Sequence, residues 1–174
     1  MSGLAGKTVV LYLENMYNDL EFWYPRLRLV EAGAKVLVAA PEAGREYKSK
    51  FGMPAVADAA FRDLDPASLH GVIIPGGYAP DLMRRHQAAL TFVRAMFDAG
   101  KLVAAICHAG WVPVSAGILR GKRCTSFFSI KDDMVNAGAL WEDAAAVVDG
   151  CLVSSRTPDD LPQFMTACLG VLRG

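Results

Sequence analysis

Leu102-Val103-Ala104-Ala105-Ile106-Cys107-His108-Ala109-Gly110 passes from an apolar run into a helix-compatible run with no loop residue between them. Successive apolar residues without polar alternation read as a strand buried on both faces, the habit of a parallel sheet covered by helices. Upstream, His86 to Ala99 sets Leu90, Val93, Met96 and Phe97 at helical spacing and is closed by Gly100. Before it stands a second such strand, Gly71-Val72-Ile73-Ile74, broken by Pro75-Gly76-Gly77. The alternation continues outward. Thr8 to Leu13 reads as a strand, and Asp19 to Ala32 as a helix ended by Gly33, with Leu20, Trp23, Leu27 and Val30 or Glu31 at helical spacing as its inward face. Lys35 to Ala40 reads as a strand ended by Pro41. Arg45 to Phe61 is expected to hold a hairpin or edge strands. Arg123 to Ser126, Ala146 to Asp149 and Leu152 to Ser154 read as further strands, and Pro158 to Leu172 as the closing helix. The expected fold is α/β: one domain over residues 1–174, with a doubly wound, mostly parallel sheet sandwiched by helices. Such sheets bind ligands beyond the carboxyl ends of their strands, near a topological switch point. The segments Pro75 to Asp81 and Ile106 to Trp111 lie at such ends.

Composition narrows the function. Eighteen basic and 18 acidic residues cancel, so the chain lacks the basic footprint of a nucleic-acid binder and the cationic face of a membrane-surface protein. No apolar run approaches the ~20 residues of a membrane span. Met1 to Lys7 has no charged-then-apolar leader layout, so a cytoplasmic protein is expected. The four cysteines, Cys107, Cys124, Cys151 and Cys168, form no C-x-x-C pair, and three histidines accompany them. A metal site is therefore not expected, and reduced thiols are. No G-x-G-x-x-G or Walker run suggests a nucleotide or flavin, so no cofactor is expected.

One thiol stands apart. A cysteine held at a strand-to-helix turn is pushed out of the sheet, as in the nucleophile elbow of hydrolases, and small neighbours Ala105, Ala109 and Gly110 leave it room. A helix N-terminus would favour its thiolate. On residues alone, Cys107 is equally readable as a small buried hydrophobe. The other three cysteines read as packing residues. Gly76 and Gly77 permit positive φ and close backbone approach, and their N–H groups, with that of His108, suit an oxyanion hole. Alone they also fit a plain strand exit. Glu21 is crowded by Leu20, Phe22 and Trp23, and apolar surroundings push a carboxyl toward its protonated form. A lone helical glutamate is otherwise usually solvated.

Over nearly its full length the chain resembles the ThiJ/PfpI superfamily, and within it the PfpI-like intracellular protease branch. The resemblance is carried by Asp19-Leu20-Glu21 with Tyr24-Pro25, Ile74-Pro75-Gly76-Gly77 with Ala79-Pro80, and Ala105-Ile106-Cys107-His108. It continues through Ser115 to Gly121, Lys131 to Gly138, Val147 to Gly150, and Leu152 to Pro158. It implies a flavodoxin-like fold related to class I glutamine amidotransferases, with Cys107 as nucleophile and Glu21 as the carboxyl at its sulfur. It also implies backbone amides of Gly77 and His108 as the oxyanion site. In that branch an acid from a neighbouring subunit orients the histidine. The matching residue is Asp81, which implies a homodimer or higher oligomer. Gly76, Tyr78, Trp111 and Phe127 are expected at the pocket. This chain departs from the family in having Ala109 and Gly110 after the histidine, an acid one methylene shorter than the usual glutamate, and Phe127 where an aromatic hydroxyl is common.

The expected function is that of a cofactor-free cysteine enzyme acting on small-molecule carbonyl or peptide substrates. Similar proteins are glyoxalases, deglycases, proteases or amidases with stress-protective roles. Small reactive carbonyls are favoured because Trp111 and a subunit interface would crowd the site. The alternative is a redox-sensing stress protein or chaperone whose Cys107 is oxidised rather than turned over. A glutamine amidotransferase is disfavoured, because its mechanism takes a histidine far downstream and none follows His108.

Overall fold

A computed structural model describes residues 3–174. β1 (Thr8–Tyr12) is followed by α1 (Asp19–Glu31), β2 (Lys35–Ala40), β3 (Glu46–Lys48), β4 (Pro54–Val56), β5 (Ala59–Ala60) and β6 (Gly71–Ile74). Next come α2 (Ala79–Met83), α3 (Gln87–Asp98), β7 (Leu102–Ile106), α4 (Trp111–Ala116) and β8 (Arg123–Cys124). The chain closes with α5 (Lys131–Asn136), β9 (Leu140–Trp141), β10 (Ala146–Asp149), β11 (Leu152–Ser155) and α6 (Leu161–Arg173). The central sheet has the order β10-β11-β7-β6-β1-β2-β5, and only β10 runs antiparallel. The expected doubly wound α/β architecture is therefore present. Every residue of β6 and β7 is buried, as their unbroken apolar runs required. Helices α1 and α6 pack on one face, and α3 with α4 on the other. None of the described helices is long and apolar enough to cross a membrane.

After β1 the chain goes outward to β2, then returns to place β6 on the other side of β1. The loops after β1 and β6 consequently diverge, and the crevice between them opens beside the end of β7.

Three local expectations change. The apolar face read for α1 points outward: Leu20 is 61% exposed, and Leu27 and Val30 are exposed too. Glu21, Phe22, Pro25 and Leu29 are buried instead. Apolar residues surround this helix, so spacing alone does not choose a face. The Asn18 cap does, with Oδ1 accepting the Leu20 and Glu21 amides, while the Tyr17 to Gly77 bridge fixes the approach. Second, the strand expected over Arg123 to Ser126 shrinks to β8, which pairs with β9 apart from the main sheet. Third, the helix expected directly after Cys107 begins as a 3-10 turn, Cys107–Gly110, and becomes α-helical only at Trp111.

Candidate active site

Three strand ends meet at the crevice. β1 leads through Glu14 to Asn18 into Glu21, β6 leads into Gly76 and Gly77, and β7 ends at Cys107. Cys107 has φ +61°, in the left-handed region. A non-glycine residue there costs about 1–2 kcal/mol. The surroundings hold it in place. Ile106 just before it is paired with Ser155 in the sheet, and the Cys107 carbonyl accepts the Phe127 amide at 3.2 Å. Gly76 has no room for a side chain: a Cβ would stand 2.6 Å from Glu21 Oε2 and 2.9 Å from both Cys107 Cβ and the Ile106 carbonyl oxygen. Gly77, at φ +82°, would drive a Cβ to 2.5 Å from the Met16 carbonyl oxygen.

Glu21 is fully buried. Its Oε2 accepts the Gly76 amide at 2.7 Å, whereas Oε1 has no hydrogen-bond partner among the described residues. Burial raises the carboxyl from its ordinary value of 4.5 to about 7, while the Gly76 amide and the Cys107 thiol pull the other way. Cys107 is 7% exposed. Burial first, and the Glu21 carboxylate second, push its thiol up to about 12. The amides of His108 and Gly77, the expected oxyanion donors, pull the thiol the other way. These values correct the expectation that the helix end favours the thiolate. A short 3-10 turn offers little dipole, and burial outweighs it. Between the two values, about 7 and about 12, the pair holds one proton, and it rests on the thiol. With the proton on Glu21, the repulsion that holds the thiol up disappears and a hydrogen-bond donor takes its place.

His108 presents Nδ1 at 3.3 Å from Cys107 Sγ and Nε2 at 3.2 Å from Ser129 Oγ. Its ring stacks on Phe127 at 4.9 Å between centroids, with the Trp111 edge at 5.4 Å. Burial, then the Lys50 charge, lowers its pKa below the ordinary 6.5, so the imidazole is neutral at pH 7. A neutral ring has one donor and one acceptor nitrogen. With Nε2–H donating to Ser129, the Nδ1 lone pair faces the thiol.

Asp81 does not reach His108 within the chain. It sits on α2, partly exposed, and pairs with Arg85 one turn on. A cavity of about 480 Å³ opens over Cys107, and Gly77, Tyr78, His108, Trp111 and Phe127 line it as expected. Gly76 lies behind the wall, against Glu21, rather than in it. Met16, Asn18, Lys50 and Pro158 also line the cavity and were not anticipated, nor was Ser129. Met16 and Lys50 lie in turns and Ser129 in a 3-10 turn that no spacing marks, while Asn18 and Pro158 carry helix-start signals that say nothing of a pocket.

A cysteine at a strand-to-helix elbow, a neighbouring histidine and a buried glutamate, set at the switch point of a mostly parallel sheet, define a class of α/β cysteine enzymes. The chain belongs to the DJ-1/PfpI family, whose description matches residues 7–170. A deglycase of Pyrococcus abyssi is 42% identical over 165 residues, spanning 95% of this chain and 99% of that one. A two-domain crystal structure from Anabaena variabilis, with DJ-1/ThiJ/PfpI-like and ferritin-like domains, superposes with TM-score 0.94 at 42% identity. It covers 95% of this chain, which spans about half (48%) of that protein. Drosophila melanogaster DJ-1beta superposes with TM-score 0.89 at 28% identity, covering 97% of this chain and 91% of its own.

Proposed function

We propose that this chain is a cofactor-free cysteine enzyme that attacks small reactive carbonyl compounds, in a deglycase- or glyoxalase-type reaction protective against carbonyl stress. The observation that carries the reading is the convergence on one sulfur: His108 Nδ1 at 3.3 Å, the Gly77 and His108 amides, and the unpartnered Glu21 Oε1 behind. The thiol proton passes to Nδ1 of the neutral imidazole as Sγ bonds to the carbonyl carbon. The π pair of the C=O moves to oxygen, where the two backbone amides stabilise the charge. His108 then returns the proton to that oxygen, giving a hemithioacetal from an aldehyde. The same parts serve an amide, whose leaving nitrogen would take the proton, so the protease or amidase reaction uses identical groups. The cavity volume and the Trp111 wall support the small substrate.

In this reading Asp81 acts in a homo-oligomer. Its carboxylate pairs with Arg85 and is partly exposed, while the ring nitrogens of its own His108 face Cys107 and Ser129, which supports a role against the histidine of a second copy. The redox-sensor alternative needs an exposed, easily ionised thiol, and a thiol 7% exposed and pushed up to about 12 supports it less. The test is a panel of methylglyoxal, glycated amino acids and peptide amides, run on the wild type beside Cys107→Ala. Turnover confined to peptide amides, or carbonyl turnover surviving in Cys107→Ala, would overturn the assignment.

A further inference from the structure

The polar groups that line the cavity offer donors and no carboxylate. Lys50 is the one fully charged side chain in its wall, since His108 is neutral. Its ammonium pairs with no carboxylate among the described residues and rests 4.9 Å from the exposed Phe51 ring. Asn18 spends Oδ1 on the amides of α1, so its Nδ2, which donates to no group among the described residues, is the half left for the cavity. The Gly77 and His108 amides complete the set.

Lys50 is also held in register with the nucleophile. It sits in the turn between β3 and β4, which is tied to the loop after β1. The Lys50 amide donates to the Tyr17 carbonyl at 3.0 Å, and the Met16 amide to the Lys48 carbonyl at 2.7 Å. The Tyr17 hydroxyl donates to the Met53 carbonyl at 2.7 Å, and the Ser49 hydroxyl to Asp19 at 2.5 Å. Met16 and Asn18 of that same loop are cavity wall, so turn and pocket form one unit. Glu21 feels the Lys50 charge, but one of its oxygens is held by the Gly76 amide; Asp19, next to Asn18, takes the Ser49 hydroxyl on Oδ1, and neither carboxyl lines the cavity.

We propose that Lys50, seconded by Asn18, makes the site selective for anionic carbonyl compounds, those with a carboxylate one or two bonds from the reacting carbon. This deepens the assignment of Cys107 as the nucleophile and rests on it. An aldehyde acid such as glyoxylate places its carboxylate on Lys50 and Asn18 while its carbonyl oxygen meets the Gly77 and His108 amides. The bond formed is Sγ–C. The C=O π pair becomes a lone pair on oxygen, and the thiol proton arrives there through His108 Nδ1, so nothing is oxidised or reduced. The chain as a whole is neutral, so the attraction is local to this wall and not a property of a net basic protein.

Charge-matched alkylation tests this without any turnover. Cys107 is labelled with iodoacetate and, separately, with iodoacetamide, two reagents of similar size that differ in charge, and the rates are read by mass spectrometry. In Lys50→Met the iodoacetate-to-iodoacetamide ratio should fall about threefold to tenfold from the wild-type value, and Lys50→Arg should restore most of it. The wild-type ratio should also fall toward that of Lys50→Met as salt is raised past about 0.5 M. Lys7→Met, remote from the cavity, should keep the wild-type ratio. Glyoxylate should protect Cys107 from iodoacetamide at lower concentration in the wild type than in Lys50→Met. An unchanged ratio in Lys50→Met, with Cys107 still the labelled residue, overturns the anion assignment and leaves the nucleophile standing. Failure of Cys107 to label ahead of the other thiols overturns both.

Discussion

Replacing Glu21 by glutamine should make the protein more stable and less active, by an amount that depends on pH. The folded carboxyl titrates near 7, against 4.5 when solvated. Between these values the folded state holds more protons than the unfolded chain, so stability falls as pH rises from about 4.5 and levels off above about 7. Each pH unit in that window is worth about 1.4 kcal/mol, and the whole difference about 3 kcal/mol. Glutamine removes the charge, keeps an oxygen for the Gly76 amide, and fits the same space. Glu21→Gln should therefore exceed the wild type by about 3 kcal/mol at pH 8 and by under about 1 kcal/mol at pH 5. Urea unfolding of both proteins under reducing conditions at the two pH values reads the difference directly. Turnover should fall too, because the titrating carboxyl beside the sulfur is replaced by an amide that cannot change charge. An advantage equal at pH 5 and pH 8, or a variant less stable at pH 8, would refute the buried-charge account of this residue.

Gly76→Ala should cost about 1–3 kcal/mol and abolish activity, since its Cβ meets Glu21, Cys107 and a backbone carbonyl at once; thermal unfolding and a turnover assay check both. Ser129→Ala should lower kcat about tenfold with a shifted pH profile, because Nε2 loses its partner and the ring tautomer is no longer set; Ser129→Thr should recover most of the loss. An unaltered profile in Ser129→Ala would show that the hydroxyl is a bystander. Asp81→Ala and Cys107→Ala chains, each inactive, should regain part of the activity when mixed under conditions of proven subunit exchange. Absence of rescue would confine Asp81 to its own chain, where its partner is Arg85.

The strands of the main sheet were legible because β6 and β7 are buried on both faces and must be apolar throughout. The elbow was legible only in part: on residues alone Cys107 read equally as a small buried hydrophobe, and the glycine pair after β6 together with the family resemblance tipped the reading. Helix α1 misled because its apolar residues surround it, and its rotation is decided by a cap and a bridge to Gly77, which is 60 positions from Tyr17 in the sequence. Lys50 and Ser129 were invisible for a related cause: each reaches the site from a turn, and neither spacing nor composition marks a turn residue as facing inward. The thiol's ionisation misled because a sequence shows the helix end but not the burial or the ionised Glu21 carboxylate that outweigh it.

The left-handed backbone at Cys107 bears on how such a chain ages under mutation. Glycine adopts φ +61° without penalty, so Cys107→Gly would relax the elbow while removing the sulfur. A lineage released from the chemistry would thus find an inactive protein with an easier backbone one substitution away. On the proposed function a cysteine at this strained position is there for its sulfur, and a glycine there in a related chain would mark a fold kept after its reaction was abandoned.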